Sequence, residues 1–111
     1  MPGNREPGAA TSEQHVGELI IDAHPWPLVM NVATERFEAR VGEQVAFIKF
    51  HVHGSTLSLI HTQAPAALRG KRVAEALVRS ALDYARNHSM TVMPYCPFVA
   101  RYIQRNPEYE S

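Results

Sequence analysis

The sequence predicts a single α+β domain with the element order β-β-β-α-β-α. Three observations carry that assignment: residues 34–61 hold runs of period-2 alternation, Gly-containing turns divide those runs, and from Gly70 the apolar residues recur at helical steps. With 111 residues, 45% of them hydrophobic, the chain is long enough for one packed core and too short for two ordinary domains.

Taken in order, Met1 to Gln14 mixes Pro, Gly, Asn, Arg, Glu and Ser with no apolar run. Residues 1–15 are therefore expected to be a disordered leader without a signal peptide, with the folded domain occupying 16–111. Order is expected to begin between Val16 and Pro27, where Leu19, Ile20, Trp26 and Leu28 can pack while Pro25 and Pro27 forbid a helix. Thr34 to Val41 puts Phe37, Ala39 and Val41 on one face and Arg36, Glu38 and Arg40 on the other, a half-buried strand. Gly42 and Glu43 turn the chain into a second strand, Gln44 to Val52, and His53 and Gly54 into a third, Thr56 to His61. Between Gly70 and Asn87 the residues Val73, Ala74, Leu77, Val78, Ala81, Leu82 and Ala85 form one apolar stripe, with Lys71, Glu75, Arg79, Asp83 and Arg86 off it. A short extended run from Thr91 to Tyr95 follows, and Pro97 then suits the first position of a short helix that stops before Asn106 and Pro107.

Several function classes are disfavoured by composition. Eleven basic and eleven acidic side chains give zero formal net charge, which argues against a surface that grips nucleic acid or an anionic membrane as a whole. No window is long and apolar enough to span a bilayer. The single cysteine, Cys96, has no disulfide partner and forms no thiolate cluster for zinc, so a reducing, cytoplasmic setting is expected. Among the six histidines, His51, His53 and His61 invite a metal reading. A turn at His53 and Gly54 that pairs Val52 with Ser55 would set His61 opposite Ala46. His51 and His61 would then lie on the order of 16 Å apart, too far for shared ligation.

The neutral total conceals an imbalance. Residues 1–68 carry four basic and seven acidic side chains, whereas 69–105 carry seven basic and two acidic. Arg69, Lys71 and Arg72 cluster where the long helix begins, the end at which the helix dipole disfavours cations. A bound phosphate would relieve that conflict, because first-turn N–H groups point outward and Gly70 lets a ligand approach the backbone. A solvated cation cluster beside an ordinary turn is the other reading of the same residues. RNA or DNA binding through this stretch lacks the interleaved aromatic residues of a stacking platform.

The segments "LSLIHTQAPAALRGKRVAEALV" (Leu57 to Val78) and "MPYCPFVARYIQRNPEY" (Met93 to Tyr109) resemble the GNAT acetyltransferases, specifically a minimal single-domain group. The resemblance covers roughly residues 30 to 109, most of an ordinary small domain. It implies an acetyl-CoA-dependent N-acetyltransferase whose Q/R-x-x-G/A-x-G/A loop holds the coenzyme A pyrophosphate on backbone amides. In this register the loop is Arg69-Gly70-Lys71-Arg72-Val73-Ala74, with Arg72 where a small residue is usual. The preceding strand end, His61 and Thr62, would flank the pantetheine arm, with Ala64 at the strand exit. The resemblance further implies that a backbone N–H near Ile60 to Thr62 polarises the thioester carbonyl.

His61 has a side chain suited to general-base work near neutral pH, and the same histidine is equally readable as a hydrogen-bonded strand residue. Cys96, at the junction of the last strand and the Pro97 helix, stands as an acetyl-pocket residue, a transient acetyl acceptor or inert packing. Tyr95 and Tyr102 are further candidate proton donors. The expected partner is an amine acceptor, a protein lysine or a small amine, met in an open groove that a second subunit of a homodimer would be able to complete. A coenzyme A-binding protein without turnover is the alternative within the same resemblance.

Overall fold

The computed structural model describes residues 13–109. Six strands form one sheet in sequence order: β1 (Glu13–Ile21), β2 (His24–Asn31), β3 (Arg36–Val41), β4 (Gln44–His53), β5 (Thr56–Gln63) and β6 (Thr91–Pro94). Neighbours from β1 to β5 are antiparallel, and β6 pairs parallel with β5. That parallel step requires a crossover, which α1 (Val73–Asn87) supplies; α2 (Pro97–Arg105) follows β6.

The α+β class and the six later elements agree with the sequence pattern to within two or three residues at their ends, but β1 and β2 were not expected as strands. Pro25 and Pro27 hid them, although both prolines stand within β2. Strand β3 pairs only with Leu28–Asn31, so the prolines lie where β2 has β1 as its single neighbour and a missing N–H is tolerated. The β1–β2 turn carries positive φ at Asp22 (52°) and Ala23 (65°), a two-residue hairpin without the glycine that usually advertises it. Because β1 begins at Glu13, residues 13–15 of the expected leader are strand, and residues 1–12 lie outside the described part.

The core lies between one face of the sheet and the two helices. Met30, Phe37, Ile48, Phe50, Leu57 and Leu59 meet Val73, Leu77, Val78 and Ala81 of α1 and Val99 of α2, all nearly or wholly buried. Among the described residues no helix covers the other face. It is kept polar by Glu38, which is 5% exposed and held by Arg36 (3.0 Å) and Arg40 (2.7 Å), while Arg40 reaches Glu13 of β1 at 2.9 Å.

The β4–β5 register corrects the histidine spacing. His53 faces Thr56, and His61 faces Lys49 rather than Ala46, because the register shifts beside Ile60. Along the sheet, His51 and His61 are two residues apart, about 7 Å rather than about 16 Å. Their partners differ, however: His51 Nδ1 lies 3.0 Å from Glu35, and the His61 ring meets Phe47 edge-on at 6.4 Å.

Leu77 and Ile20 separate the two faces by their stability cost. Leu77→Ala, at a fully buried position, is expected to lose about 2–5 kcal/mol in urea unfolding. Ile20→Ala, at a position 62% exposed, should stay within about 0.5 kcal/mol, and equal losses would show the core to be misplaced.

Candidate active site

Between β5 and α1 the chain makes a short, fixed descent. Pro65 opens a 3-10 turn, Ala66–Leu68, and Leu68 drops into the core at 4% exposure and anchors it. The amides of Leu68, Arg69 and Lys71 bond to the carbonyls of Pro65, Ala66 and Leu68. Among the described residues, those of Gly70, Arg72, Val73, Ala74 and Glu75 have no backbone acceptor, and no side chain caps the helix. Unpaired donors at a helix start are the usual makings of an anion site, and here two extra amides of the preceding turn join them.

These amides border a cleft of about 400 Å³ lined by Ala64, Arg69, Gly70, Arg72, Val73 and Ala74 together with Leu68, Glu75 and Phe98. The structure therefore gathers six of the expected cofactor residues. Lys71 is exposed on the same loop without lining the cleft, and Val73 has its side chain buried in the core at 1% exposure, leaving its amide for the ligand. Leu68, Glu75 and Phe98 were not expected. Glu75 is an ordinary acidic residue for a first turn, whereas Phe98 arrives from α2 and carries no local signal.

Arg72 is the residue where the backbone departs from what its side chain prefers. Its φ is 62° and that of Gly70 is 82°, so both adopt the left-handed conformation. Glycine enters that conformation without the roughly 1–2 kcal/mol that a Cβ costs, so Arg72 carries a strain that a glycine at this position would not. Arg72 is one of the residues that line the cleft.

At the other end of the site, β5 and β6 part. Their pairing stops at Leu59 opposite Pro94, and the last link is the Cys96 N–H donated to the Leu59 carbonyl at 3.0 Å. Among the described residues, the β5 backbone from Ile60 to Gln63 has no strand partner on that side. Cys96 is the N-cap of α2 and is 5% exposed. Its Sγ lies 3.3 Å from Thr62 Oγ1. Burial pushes the Cys96 thiol up, but the Thr62 hydroxyl and the amides of Val99, Phe98 and Thr62 outweigh it, and the thiol falls below its usual value.

His61 does not join this group. The register shift sets Ile60 and His61 together opposite Lys49, as a β-bulge does, so both face outward and Thr62 takes the inward position. Ile60 is accordingly 44% exposed, and His61 is exposed beside Phe47 on the uncovered face. Its expected place beside the cofactor is corrected to the opposite face of the sheet. Tyr95 is 64% exposed next to Cys96, while Tyr102 packs toward Tyr109, 6.1 Å between rings, at the far end of α2. Among the described residues no three His, Cys, Asp or Glu side chains converge as a metal site would need, and no helix is long and apolar enough to cross a membrane.

Comparison with known proteins gives this arrangement a lineage. Protein NATD1 of Xenopus tropicalis is 30% identical over 57 residues, which are 51% of this chain and 52% of that protein. Protein NATD1 of Danio rerio is 28% identical over 57 residues with the same shares, and that of Gallus gallus 31% over 51 residues, 46% of each. The chain spans about half the length of the curated relatives it matches. The family profile described as GCN5-related N-acetyl-transferase matches residues 36–111, which include the amide-lined loop, the parting strands and Cys96. The chain belongs to the GCN5-related N-acetyltransferase family.

Proposed function

We propose that this domain is an acetyl-CoA-dependent N-acetyltransferase that acts on an amine, a protein lysine or a small amine, in a reducing compartment where its one thiol stays free. The observation that carries the reading is the row of five unpaired amides from Gly70 to Glu75, set among Arg69, Lys71 and Arg72 and opening on the Phe98-walled cleft. Backbone donors and a helix dipole suit a pyrophosphate, and the cations neutralise its charge. When bound, acetyl-CoA supplies an activated acetyl thioester.

The residues of the chain then divide the work. Thr62 and the unpaired β5 backbone from Ile60 flank the thioester, and an N–H of that stretch donates to the carbonyl oxygen as it gains charge. Cys96, as thiolate, forms a bond to the acetyl carbon while the thioester C–S bond breaks, and coenzyme A leaves as a thiolate that takes up a proton from solvent. The gap where β5 and β6 part admits the amine, whose nitrogen next bonds to the acetyl carbon. Cys96 departs as thiolate, and the proton the nitrogen loses passes to solvent.

Calorimetric titration with acetyl-CoA tests the first step. Arg69→Glu, which reverses a charge on the cleft wall, is expected to weaken binding at least about tenfold, with the loss shrinking at high salt. No heat of binding to the native protein would sink the proposal. Arg72→Gly separates backbone from side chain: stability should rise by roughly 0.5–1 kcal/mol as the left-handed strain is released, while affinity falls because the guanidinium is gone. A stability loss would place the strain elsewhere. For the chemistry, intact mass after mixing with acetyl-CoA in the absence of amine should show one added acetyl group that is missing in Cys96→Ala. Unchanged turnover in that variant would remove the covalent step and leave direct transfer.

A further inference from the structure

We propose that Thr62 is the positioning residue of Cys96: its hydroxyl, carried across the open end of the β5–β6 junction, fixes the thiol in the slot and donates to it once ionised. The proposal rests on the reading of Cys96 given above and adds the residue that makes the thiol competent. It begins with the bulge in β5. Leu57 and Leu59 are buried on the core side, and strict alternation would continue with His61 inward and Thr62 outward. The extra residue at Ile60 reverses that order, so the inward position next to Cys96 goes to a hydroxyl instead of an imidazole.

The contact joins two otherwise separate elements. Thr62 stands on β5 and Cys96 at the head of α2, with 3.3 Å between Oγ1 and Sγ. Among the described residues no other side chain hydrogen-bonds to this sulfur, and no cation stands among the groups that lower its pKa. A hydroxyl carries one proton, and beside a thiolate that proton has one useful direction, toward sulfur.

A second observation places this pair beside the cleft. Ala64, two residues after Thr62, and Phe98, two residues after Cys96, both line the cleft bordered by the unpaired amides. The Thr62–Cys96 contact thus bridges the two walls of that cleft immediately beyond its lining.

Because Cys96 is the only cysteine, its ionisation can be read directly in the intact chain. Alkylation by iodoacetamide would be followed across pH, alongside the ultraviolet absorbance of the thiolate corrected with Cys96→Ala. Thr62→Val, which keeps the shape and removes the hydroxyl, is expected to move the midpoint to higher pH. It should also slow alkylation at neutral pH about tenfold, the scale of a hydrogen bond to a charged acceptor. Thr62→Ser should restore the native profile, and a cooperative thermal unfolding transition in both variants shows that the comparison is made between folded proteins. An unchanged profile in Thr62→Val, or an equal displacement in Thr62→Ser, overturns the proposal. Loss of coenzyme A binding in Thr62→Val with an unchanged profile does so too, and makes Thr62 a ligand contact instead. Should the native protein bind no acetyl-CoA while the titration still responds to Thr62→Val, the coupling stands and the proposed transferase function falls.

Discussion

The site depends on how β5 loses its neighbours. Up to Leu59 the strand is bonded on both sides, to β4 and to β6, and its side chains alternate between core and open face. One residue later two things happen together: the ladder to β6 ends, and an extra residue enters opposite Lys49. The first leaves main-chain donors and acceptors without partners inside a sheet, which costs free energy unless water or a ligand satisfies them. The second reverses the facing of every residue that follows. Thr62 is thereby turned toward Cys96 and His61 toward the uncovered face, and the two sides of the junction acquire different chemistry.

A second constraint acts at the start of α1. Three cations stand where the dipole disfavours them, one of them in a strained left-handed conformation, while a row of amides lacks acceptors. Each of these is mildly unfavourable in the unliganded chain. They share one remedy, an anion with several oxygens, and Leu68, buried ahead of the turn, holds the loop in the geometry that presents them. Local rules of helix construction are broken together at the place where a phosphate-bearing ligand would mend them.

Some parts of this arrangement were readable from residue order. The stripe Val73, Leu77, Val78, Ala81 and Leu82 defines α1 because a helix of that length buries one face, and Pro97 marks the start of α2 because proline fits a first turn. Charge and position left the loop from Arg69 to Ala74 readable as an anion site or as a solvated cation cluster, and the family resemblance alone singled it out as a cofactor loop. The N-terminal hairpin was not readable: Pro25 and Pro27 are tolerated because β3, though it runs to Val41, stops pairing with β2 at Leu28, and Asp22-Ala23 turns the chain without a glycine. Both facts belong to neighbouring strands and to backbone angles, which single-residue signals do not carry.

Residue order alone settled the α+β class, the places of the two helices and the family resemblance, and it located the candidate loop from Arg69 to Ala74, since each rests on local periodicity or contiguous residues. Only the tertiary structure decided which side of β5 His61 and Thr62 occupy, that Phe98 closes the cleft, and that Cys96 meets a hydroxyl. Side-chain facing along a strand has a period of two, so one inserted residue inverts it. Whether an insertion is accommodated as a bulge is settled by pairing with another strand, here by Lys49 facing His61.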